Sequence, residues 1–216
     1  MKDLLLMPKL LGSYTSPFVR KVRMAFIEKN APYVFIEAPP ATQAPTVIEV
    51  NPLGKVPALL TDDDRALYDS SVIAEYIEVL HPQPVLLPAA GMARVSVKRW
   101  EALADGILDA AVAVLNERRR ENALQRSPEW IAKQVGKIQR GVTTLADEIG
   151  DRVYCHGDAL TLGDLSIMAT LGFLDFRLPE IDWRGEYPDL AAYFARHATR
   201  KSFVDTIPFD PPTKKS

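Results

Sequence analysis

The sequence predicts two domains: an α/β domain with a mixed four-stranded sheet, followed by an all-helical bundle domain. Three observations support this fold class. Strand-like and helix-like segments alternate over roughly the first 80 residues. Three prolines between Pro82 and Pro88 then interrupt the pattern, as a stiff linker would. The rest of the chain shows helical periodicity without a strand pattern. We therefore expect domains over 1–84 and 91–216, joined by a linker over 85–90.

The first elements form a strand–helix–strand unit. A strand over 9–13 leads into a helix over 17–29, and a second strand follows at Tyr33–Ile36. The apolar face of the helix consists of Phe18, Val22, Ala25 and Phe26, and the expected off-face residues are Arg20, Lys21 and Arg23. A unit of this order is right-handed and its two strands are parallel.

A hairpin and a covering helix complete the first domain. The predicted elements are a proline-rich loop over 39–45, a short helix near 46–50, a turn over 51–57, a strand over 58–61, a polar turn over 62–64, a returning strand over 65–68 and a helix opened by 69–71. The order of strands and helices matches a thioredoxin-like domain with a mixed four-stranded sheet.

The second domain is predicted from four long amphipathic stretches, at 91–121, 127–149, 161–177 and 188–200. Thr161 and Asp164 form a capping box at the start of the third stretch. That stretch is apolar nearly all round, so we expect it to be central to its domain. The box contributes stability, and we do not expect it to contact a substrate.

The composition argues against several classes of function. A formal charge of -2 and the lack of a long basic segment argue against binding to nucleic acid. No apolar run reaches the roughly 18 residues of a membrane span. Residues 1–8 are interpreted as a short extension, with initiation at Met1 or Met7. The single cysteine, Cys155, excludes an internal disulfide and fits a reducing compartment, and we expect a cytoplasmic location. We expect no metal and no cofactor.

The segment that is most informative about function lies between the first strand and the first helix, at Ser13–Ser16. Pro17 suits the first helical position because it lacks an N–H, and Ser16 before it suits the N-cap. The positive end of a helix stabilises an anion. Ser16, or failing that Thr15, is therefore the candidate to face a bound thiolate, and Tyr14 is a third hydroxyl nearby.

Four segments together resemble the soluble glutathione S-transferases, and the closest match is a bacterial cytosolic member with a serine-type site. The segments are Ser13–Arg23, Asn51–Pro57, Asp69–Ile77 and Leu160–Asp164. The resemblance spans nearly the whole chain. It implies glutathione as co-substrate, a small hydrophobic electrophile bound by the helical domain, and a homodimer.

The resemblance also implies which residues bind glutathione. Val56 precedes a cis Pro57 and offers its backbone to the cysteinyl part, since cis bonds are common only before proline. Asp69 and Ser70 hold the γ-glutamyl head, with the serine as a helix cap, although the family more often has Glu at this acidic position. Lys55 pairs with the glycine carboxylate. The structural alternatives are a trans proline, simple capping and an ordinary surface lysine.

The implied mechanism activates the sulfur of bound glutathione. The thiolate is the nucleophile, and a thiol with a pKa near ~8.5 is mostly protonated at neutral pH. A hydroxyl hydrogen bond and a helix N-terminus both favour the charged form. The family's reactive position falls on Ser16, with Thr15 as its alternative. A third hypothesis is that Ser16 only caps the helix and does not contact the thiolate.

Two classes of function follow from these expectations. The first is a glutathione transferase that conjugates glutathione to an electrophilic carbon or uses it to reduce peroxides. The second is a glutathione-binding or stress-related interaction module with little turnover. A thiol–disulfide reductase is disfavoured because Ser16 stands where relatives of that kind carry cysteine. Cys155 is expected to be a small buried residue.

Overall fold

A computed structural model describes residues 7–39 and 46–211. The chain divides into two compact units, one formed by residues up to Leu87 together with Arg200 onwards, the other by Pro88–Thr199. The division after Leu87 falls inside the predicted linker. Most of the predicted extension, the loop over 39–45 and the end of the chain lie outside the described residues.

The first unit is built on a mixed four-stranded sheet with the order β2-β1-β3-β4, which confirms the predicted architecture. The strands are β1 (Lys9–Gly12), β2 (Val34–Glu37), β3 (Ala58–Leu60) and β4 (Ala66–Leu67). β1 runs parallel to β2 and antiparallel to β3, and β3 runs antiparallel to β4. Each strand lies within one or two residues of its predicted bounds.

Helices pack on this sheet where the sequence predicts them. They are α1 (Pro17–Glu28), α2 over residues 46–50, and α3 (Ser70–Leu80). Val22, Ala25 and Phe26 of α1 are buried, as predicted. Gly12 allows α1 to approach β1 closely, because a Cβ at this position would lie 2.6 Å from Cγ1 of Val19.

The second unit is helical throughout its regular structure. Its elements are α4 (Gly91–Arg118), a 3-10 turn (Ala123–Gln125), α5 (Pro128–Ile149), α6 (Leu162–Arg177), α7 (Trp183–Glu186) and α8 (Pro188–His197). α4 packs against both α5 and α6. Every residue of α6 from Leu162 to Leu174 is buried, which confirms its predicted central place.

The predicted capping box of α6 is present and is part of a buried network. The Asp164 carboxylate is fully buried and accepts the Thr161 N–H at 2.7 Å. It also accepts the Cys155 N–H at 2.7 Å and the Tyr193 hydroxyl at 2.5 Å. A single carboxylate thus ties the start of α6 to the preceding loop and to α8.

The C-terminal segment differs from the prediction, since it groups with the first unit instead of the helical domain. Its short helix α9 (Lys201–Val204) packs on α1. Arg20 and Lys21, expected off the buried face of α1, are only 3% and 0% exposed. The reason is visible at Arg20, whose guanidinium donates to the Phe203 carbonyl at 3.2 Å and lies 3.9 Å from the Phe203 ring centroid.

Among the helices of residues 7–39 and 46–211, none combines the length and apolar character needed to cross a bilayer. The same residues contain no cluster of three or more His, Cys, Asp or Glu side chains placed to hold a metal ion.

Candidate active site

The sheet brings the predicted site residues to one edge. The C-terminal end of β1 meets the N-terminal end of β3, because Leu11 pairs with Ala58. β4 pairs antiparallel with β3, with Leu67 opposite Leu59. The Ser13–Ser16 loop, the Val56–Pro57 bond and the start of α3 therefore emerge at the same edge of the first unit.

The loop between β1 and α1, residues 13–16, is here called the hydroxyl loop. It is a tight turn, because the Ser16 N–H donates to the Ser13 carbonyl at 3.2 Å. Ser13 is buried, whereas Thr15 and Ser16 are partly exposed. The loop therefore presents two accessible hydroxyl-bearing residues directly before the first turn of α1.

Ser16 is the N-cap of α1, as predicted. Its backbone is extended, with φ -81° and ψ 122°, and Pro17 is the first helical residue. The Ser16 hydroxyl oxygen accepts the Val19 N–H at 3.3 Å. A hydroxyl has one proton and two acceptor sites. No described residue accepts the Ser16 proton, so this hydroxyl remains available to donate at the positive end of the helix.

Thr15 is placed differently from Ser16. Its hydroxyl lies 3.3 Å from the Ser13 hydroxyl, and either of the two oxygens can donate. Thr15 is also outside the helix and caps nothing. The geometry therefore favours Ser16 over Thr15 as the donor to an anion at this helix end.

Tyr14 also carries a hydroxyl, and its ring packs against three neighbouring residues. The ring stacks on Phe209 with centroids 4.6 Å apart, and it packs against Phe35 at 5.0 Å. The Arg23 guanidinium lies 5.2 Å from the Tyr14 ring centroid. Tyr14 thus connects the hydroxyl loop to β2, α1 and the C-terminal segment.

The Val56–Pro57 peptide bond is cis, in agreement with the sequence analysis. Pro57 is buried and Val56 is partly exposed. Val56 lies between the turn and β3, and its backbone N–H and carbonyl have no hydrogen-bond partner among the described residues. Unpaired backbone groups of this kind can pair with an extended ligand.

Asn51 holds the turn that leads to this bond, a role the sequence analysis did not single out. Its side-chain amide donates to the Lys55 carbonyl at 2.8 Å, and its side-chain oxygen accepts the Leu53 N–H at 3.0 Å. Gly54 lies at φ +61°, which favours glycine. The only signal in the sequence was the turn cluster itself, since an asparagine followed by proline and glycine is typical of turns.

Asp69 and Ser70 lie at the start of α3, but the N-cap is Asp69 and not Ser70, which the family resemblance implied as the cap. Asp69 is the N-cap and accepts the Ser71 N–H at 3.0 Å, while Ser70 is the first helical residue. The Tyr68–Asp69 bond is also cis. Asp69 is exposed and Ser70 is 2% exposed. The shorter side chain of Asp compared with Glu suits the cap, because a capping oxygen must reach an N–H only two residues on.

Lys55 is exposed at the edge of the turn. Its ammonium makes no ion pair with any residue in the described ranges. The Lys55 carbonyl accepts from the Asn51 amide, as described above, so the backbone that carries this charged side chain is held in place. The arrangement leaves a positive charge free for a carboxylate ligand.

A cavity of about 600 Å³ lies within the helical unit. Trp100 and Tyr154 line it, but so do charged side chains, including Arg99, Glu148 and Arg152. Arg99 pairs with Glu148 through both carboxylate oxygens, and this pairing lowers the pKa of Glu148. The lining is therefore more polar than a pocket for a hydrophobic electrophile would be.

Comparisons with known proteins agree with this geometry. The family model for the glutathione S-transferase N-terminal domain matches residues 10–85, and that for the C-terminal domain matches residues 128–196. A GST-like protein of Escherichia coli K12, YibF, whose function is uncharacterised, is 37% identical over 200 residues, or 93% of this chain and 98% of its own.

Two solved structures are similar over nearly the full length. A glutathione S-transferase of Methylobacterium radiotolerans in complex with glutathione sulfonate has a TM-score of 0.90 and 38% identity, covering 97% of this chain and 99% of its own. One of Methylobacillus flagellatus with glutathione bound has a TM-score of 0.88 and 40% identity, covering 94% and 100%. With both domain models matched and relatives aligned along nearly its whole length, the chain belongs to the glutathione S-transferase family.

Proposed function

We propose that this protein is a glutathione transferase in which Ser16 donates a hydrogen bond to the glutathione thiolate. The observation that carries the proposal is the Ser16 cap. Its oxygen accepts the Val19 N–H, and its proton has no acceptor among the described residues. The hydroxyl is thus oriented by the helix and free to bind an anion where the helix dipole is positive.

The remainder of glutathione is matched by residues at the same edge of the sheet. The unpaired backbone of Val56 can bind the cysteinyl part as an added strand would. Asp69 can accept from the α-ammonium group, and Ser70, at the first turn of α3, can donate to the γ-glutamyl carboxylate. Lys55 can pair with the glycine carboxylate. The Methylobacterium and Methylobacillus relatives, which bind glutathione sulfonate and glutathione, support glutathione as the ligand.

The energies required are within the range of these contacts. Lowering the pKa of a thiol by two units needs about 2.7 kcal/mol of differential stabilisation. A hydrogen bond to a charged group contributes roughly 1.5–3 kcal/mol. A helix N-terminus adds about 0.3–1 kcal/mol. One serine at a helix end can therefore keep most of the bound thiol ionised at neutral pH, without ionising itself.

The proposed reaction is attack by the glutathione thiolate on a small hydrophobic electrophile. The sulfur forms a bond to the electrophilic carbon, and the leaving group departs with its electron pair. Peroxide reduction by glutathione is the related activity, and both fit a cytoplasmic protein with one buried free cysteine. We place the electrophile in the helical unit because the family resemblance implies it.

The test combines calorimetry with a conjugation assay. We expect the protein to bind glutathione at micromolar to millimolar concentrations and to turn over an aryl halide with saturable kinetics. Unchanged turnover in Ser16→Ala would overturn the role of Ser16, and unchanged turnover in Thr15→Ala as well would overturn activation of the thiolate by either hydroxyl. Binding without consumption of any electrophile or peroxide would support the interaction-module alternative, and absence of binding would overturn the site itself.

We also propose that the protein is a homodimer. α3 leaves Val72 and Val79 exposed, at 45% and 78%, and α4 leaves Met92 and Val95 exposed, at 77% and 55%. Val72 and Val79 are seven residues apart, and Met92 and Val95 are three apart, so the two residues of each pair lie on one face of their helix. Each helix therefore has two exposed apolar residues on one face. Light scattering is expected to give a molar mass twice that of one chain. In Val79→Asp the measured mass is expected to shift towards that of a single chain.

A further inference from the structure

The C-terminal segment, residues 200–209, follows α1 along its whole length. At the end of α1, Arg200 donates to the Glu28 carboxylate at 2.9 and 2.7 Å, and Ser202 donates to the same carboxylate at 2.5 Å. Glu28 is thus the first of several side chains of this unit that the segment engages. The later contacts lead towards the hydroxyl loop.

The next contacts lie one and two turns nearer to the start of α1. Arg20 donates to the Phe203 carbonyl at 3.2 Å and to the Thr206 hydroxyl at 3.4 Å. Arg23 donates to the Asp205 carbonyl at 3.2 Å. Backbone carbonyls of the segment are therefore held by two arginines whose positions are set by the helix. Beyond them the ring of Phe209 reaches the loop.

Phe209 meets Tyr14, the residue at the centre of the hydroxyl loop. The two rings stack with centroids 4.6 Å apart and an interplanar angle of 28°. The Tyr14 ring also packs against the Phe35 ring, with centroids 5.0 Å apart, and the Arg23 guanidinium carbon lies 5.2 Å from the Tyr14 ring centroid. Phe209 is 46% exposed, so it covers the Tyr14 ring from the solvent side instead of filling the core.

Hydrogen bonds restrain the loop as well, and at its end the Ser16 carbonyl accepts the Arg20 N–H at 3.0 Å. Tyr14 follows Ser13, whose carbonyl accepts the Ser16 N–H at 3.2 Å, and so it lies inside that turn. The side-chain bonds of the loop, Ser13 to Thr15 and Ser16 to Val19, are both 3.3 Å long. Bonds of this length are weak. The helix therefore holds Ser16 from one side, and the packing of the Tyr14 ring adds a restraint on the middle of the loop.

We propose that Phe209 is a positioning residue for the glutathione site: by stacking on Tyr14, it holds the hydroxyl loop in the form that aims Ser16 at the sulfur. This inference rests on the proposed function, because it assigns Phe209 a part in binding the same thiolate. It gives the far end of the chain a role in a site built almost entirely from the first 70 residues.

The experiment compares Phe209→Ala with the matched control Ile207→Ala. Ile207 lies in the same segment, is 54% exposed and has no aromatic ring that could stack on Tyr14. Removing one aromatic pair is expected to weaken glutathione binding about three- to ten-fold in calorimetry. The pKa of the bound thiol is expected to rise in Phe209→Ala. Phe209→Tyr retains an aromatic ring and is expected to keep the wild-type affinity for glutathione and the wild-type thiol pKa.

The outcomes separate this inference from the proposed function. A merely structural role would lower the melting temperature without moving the ionisation of the bound thiol. Equal binding and equal thiol ionisation in Phe209→Ala and Ile207→Ala, with the wild-type protein binding normally, would overturn the role of Phe209 alone. A wild-type protein that binds no glutathione would overturn the proposed function together with this inference.

Discussion

The Ser16 hydroxyl oxygen accepts the backbone N–H of Val19 at 3.3 Å, so this serine caps α1 with its oxygen and keeps its proton for another acceptor. Ser127 makes the same bond at the start of α5, to the Trp130 N–H at 3.2 Å. The helices of the described residues therefore include two serine caps with similar hydrogen bonds, and Ser16 is the one at the candidate active site.

This pair separates capping from catalysis. Ser16→Ala and Ser127→Ala are each expected to lower the free energy of unfolding by about 1 kcal/mol, the usual contribution of an N-cap. Only Ser16→Ala is expected to lower kcat/KM for glutathione conjugation, by about ten- to a hundred-fold, because a bond to a charged sulfur is lost. Denaturant titrations and steady-state kinetics measure the two effects. Equal losses of activity in both variants would show that Ser16 is a cap and nothing more.

Asp69 offers a similar separation at the start of α3. Asn is as good an N-cap as Asp, so Asp69→Asn should retain the bond to the Ser71 N–H and the stability of the protein. The lost charge is expected to raise the KM for glutathione about two- to five-fold, the size of an exposed charge pair. Asp69→Ala should lose stability as well. A KM that is unchanged in Asp69→Asn would assign this residue to capping alone.

Asp164 should matter for stability and not for glutathione. Its buried carboxylate accepts from Cys155, Thr161 and Tyr193. Asp164→Ala would leave these buried donors without an acceptor, and we expect a loss of about 3 kcal/mol or more in denaturant unfolding. The control is Asp158→Ala, an exposed acid of the preceding loop, for which no loss is expected. An Asp164→Ala protein as stable as the control would contradict the network.

Cys155 is expected to be unreactive in the folded protein and to make stability fall at alkaline pH. Burial, together with the Asp164 carboxylate, raises the pKa of the Cys155 thiol well above its usual value. Because the pKa of this thiol is higher in the folded than in the unfolded state, its contribution to stability is fully present below the unfolded pKa of about 8.5. The contribution declines as the pH rises above that value. Between about pH 7.5 and 9.5, the wild-type melting temperature should therefore fall more steeply than that of Cys155→Ala. Parallel pH profiles, or rapid alkylation of the folded protein, would contradict this.

Much of the fold followed from local patterns in the sequence. Pro17 after Ser16 predicted the start of α1, and the Thr161–Asp164 spacing predicted the start of α6, because helix ends are specified by a few adjacent residues. The cis bond at Pro57 followed from proline chemistry combined with the family resemblance. The alternation of strands and helices was sufficient for the mixed sheet, since short connections allow few topologies.

The features that the sequence did not predict depend on contacts between distant residues. The burial of Arg20 arises from Phe203, which is 183 residues away and carries no periodic signal. The stack of Tyr14 on Phe209 is equally remote. The exchange of roles between Asp69 and Ser70 depends on a shift of one residue at the start of α3, and propensities do not resolve such a shift because both residue types are good caps.

The most direct test of the central claim is the ionisation of glutathione bound to the protein. Ultraviolet absorbance of the thiolate, titrated against pH, gives the pKa of the bound thiol in the wild type and in Ser16→Ala. We expect a wild-type pKa about two units below that of free glutathione. Most of this shift should be lost in Ser16→Ala and retained in Ser127→Ala. A bound thiol with the same pKa in wild type and Ser16→Ala would contradict it.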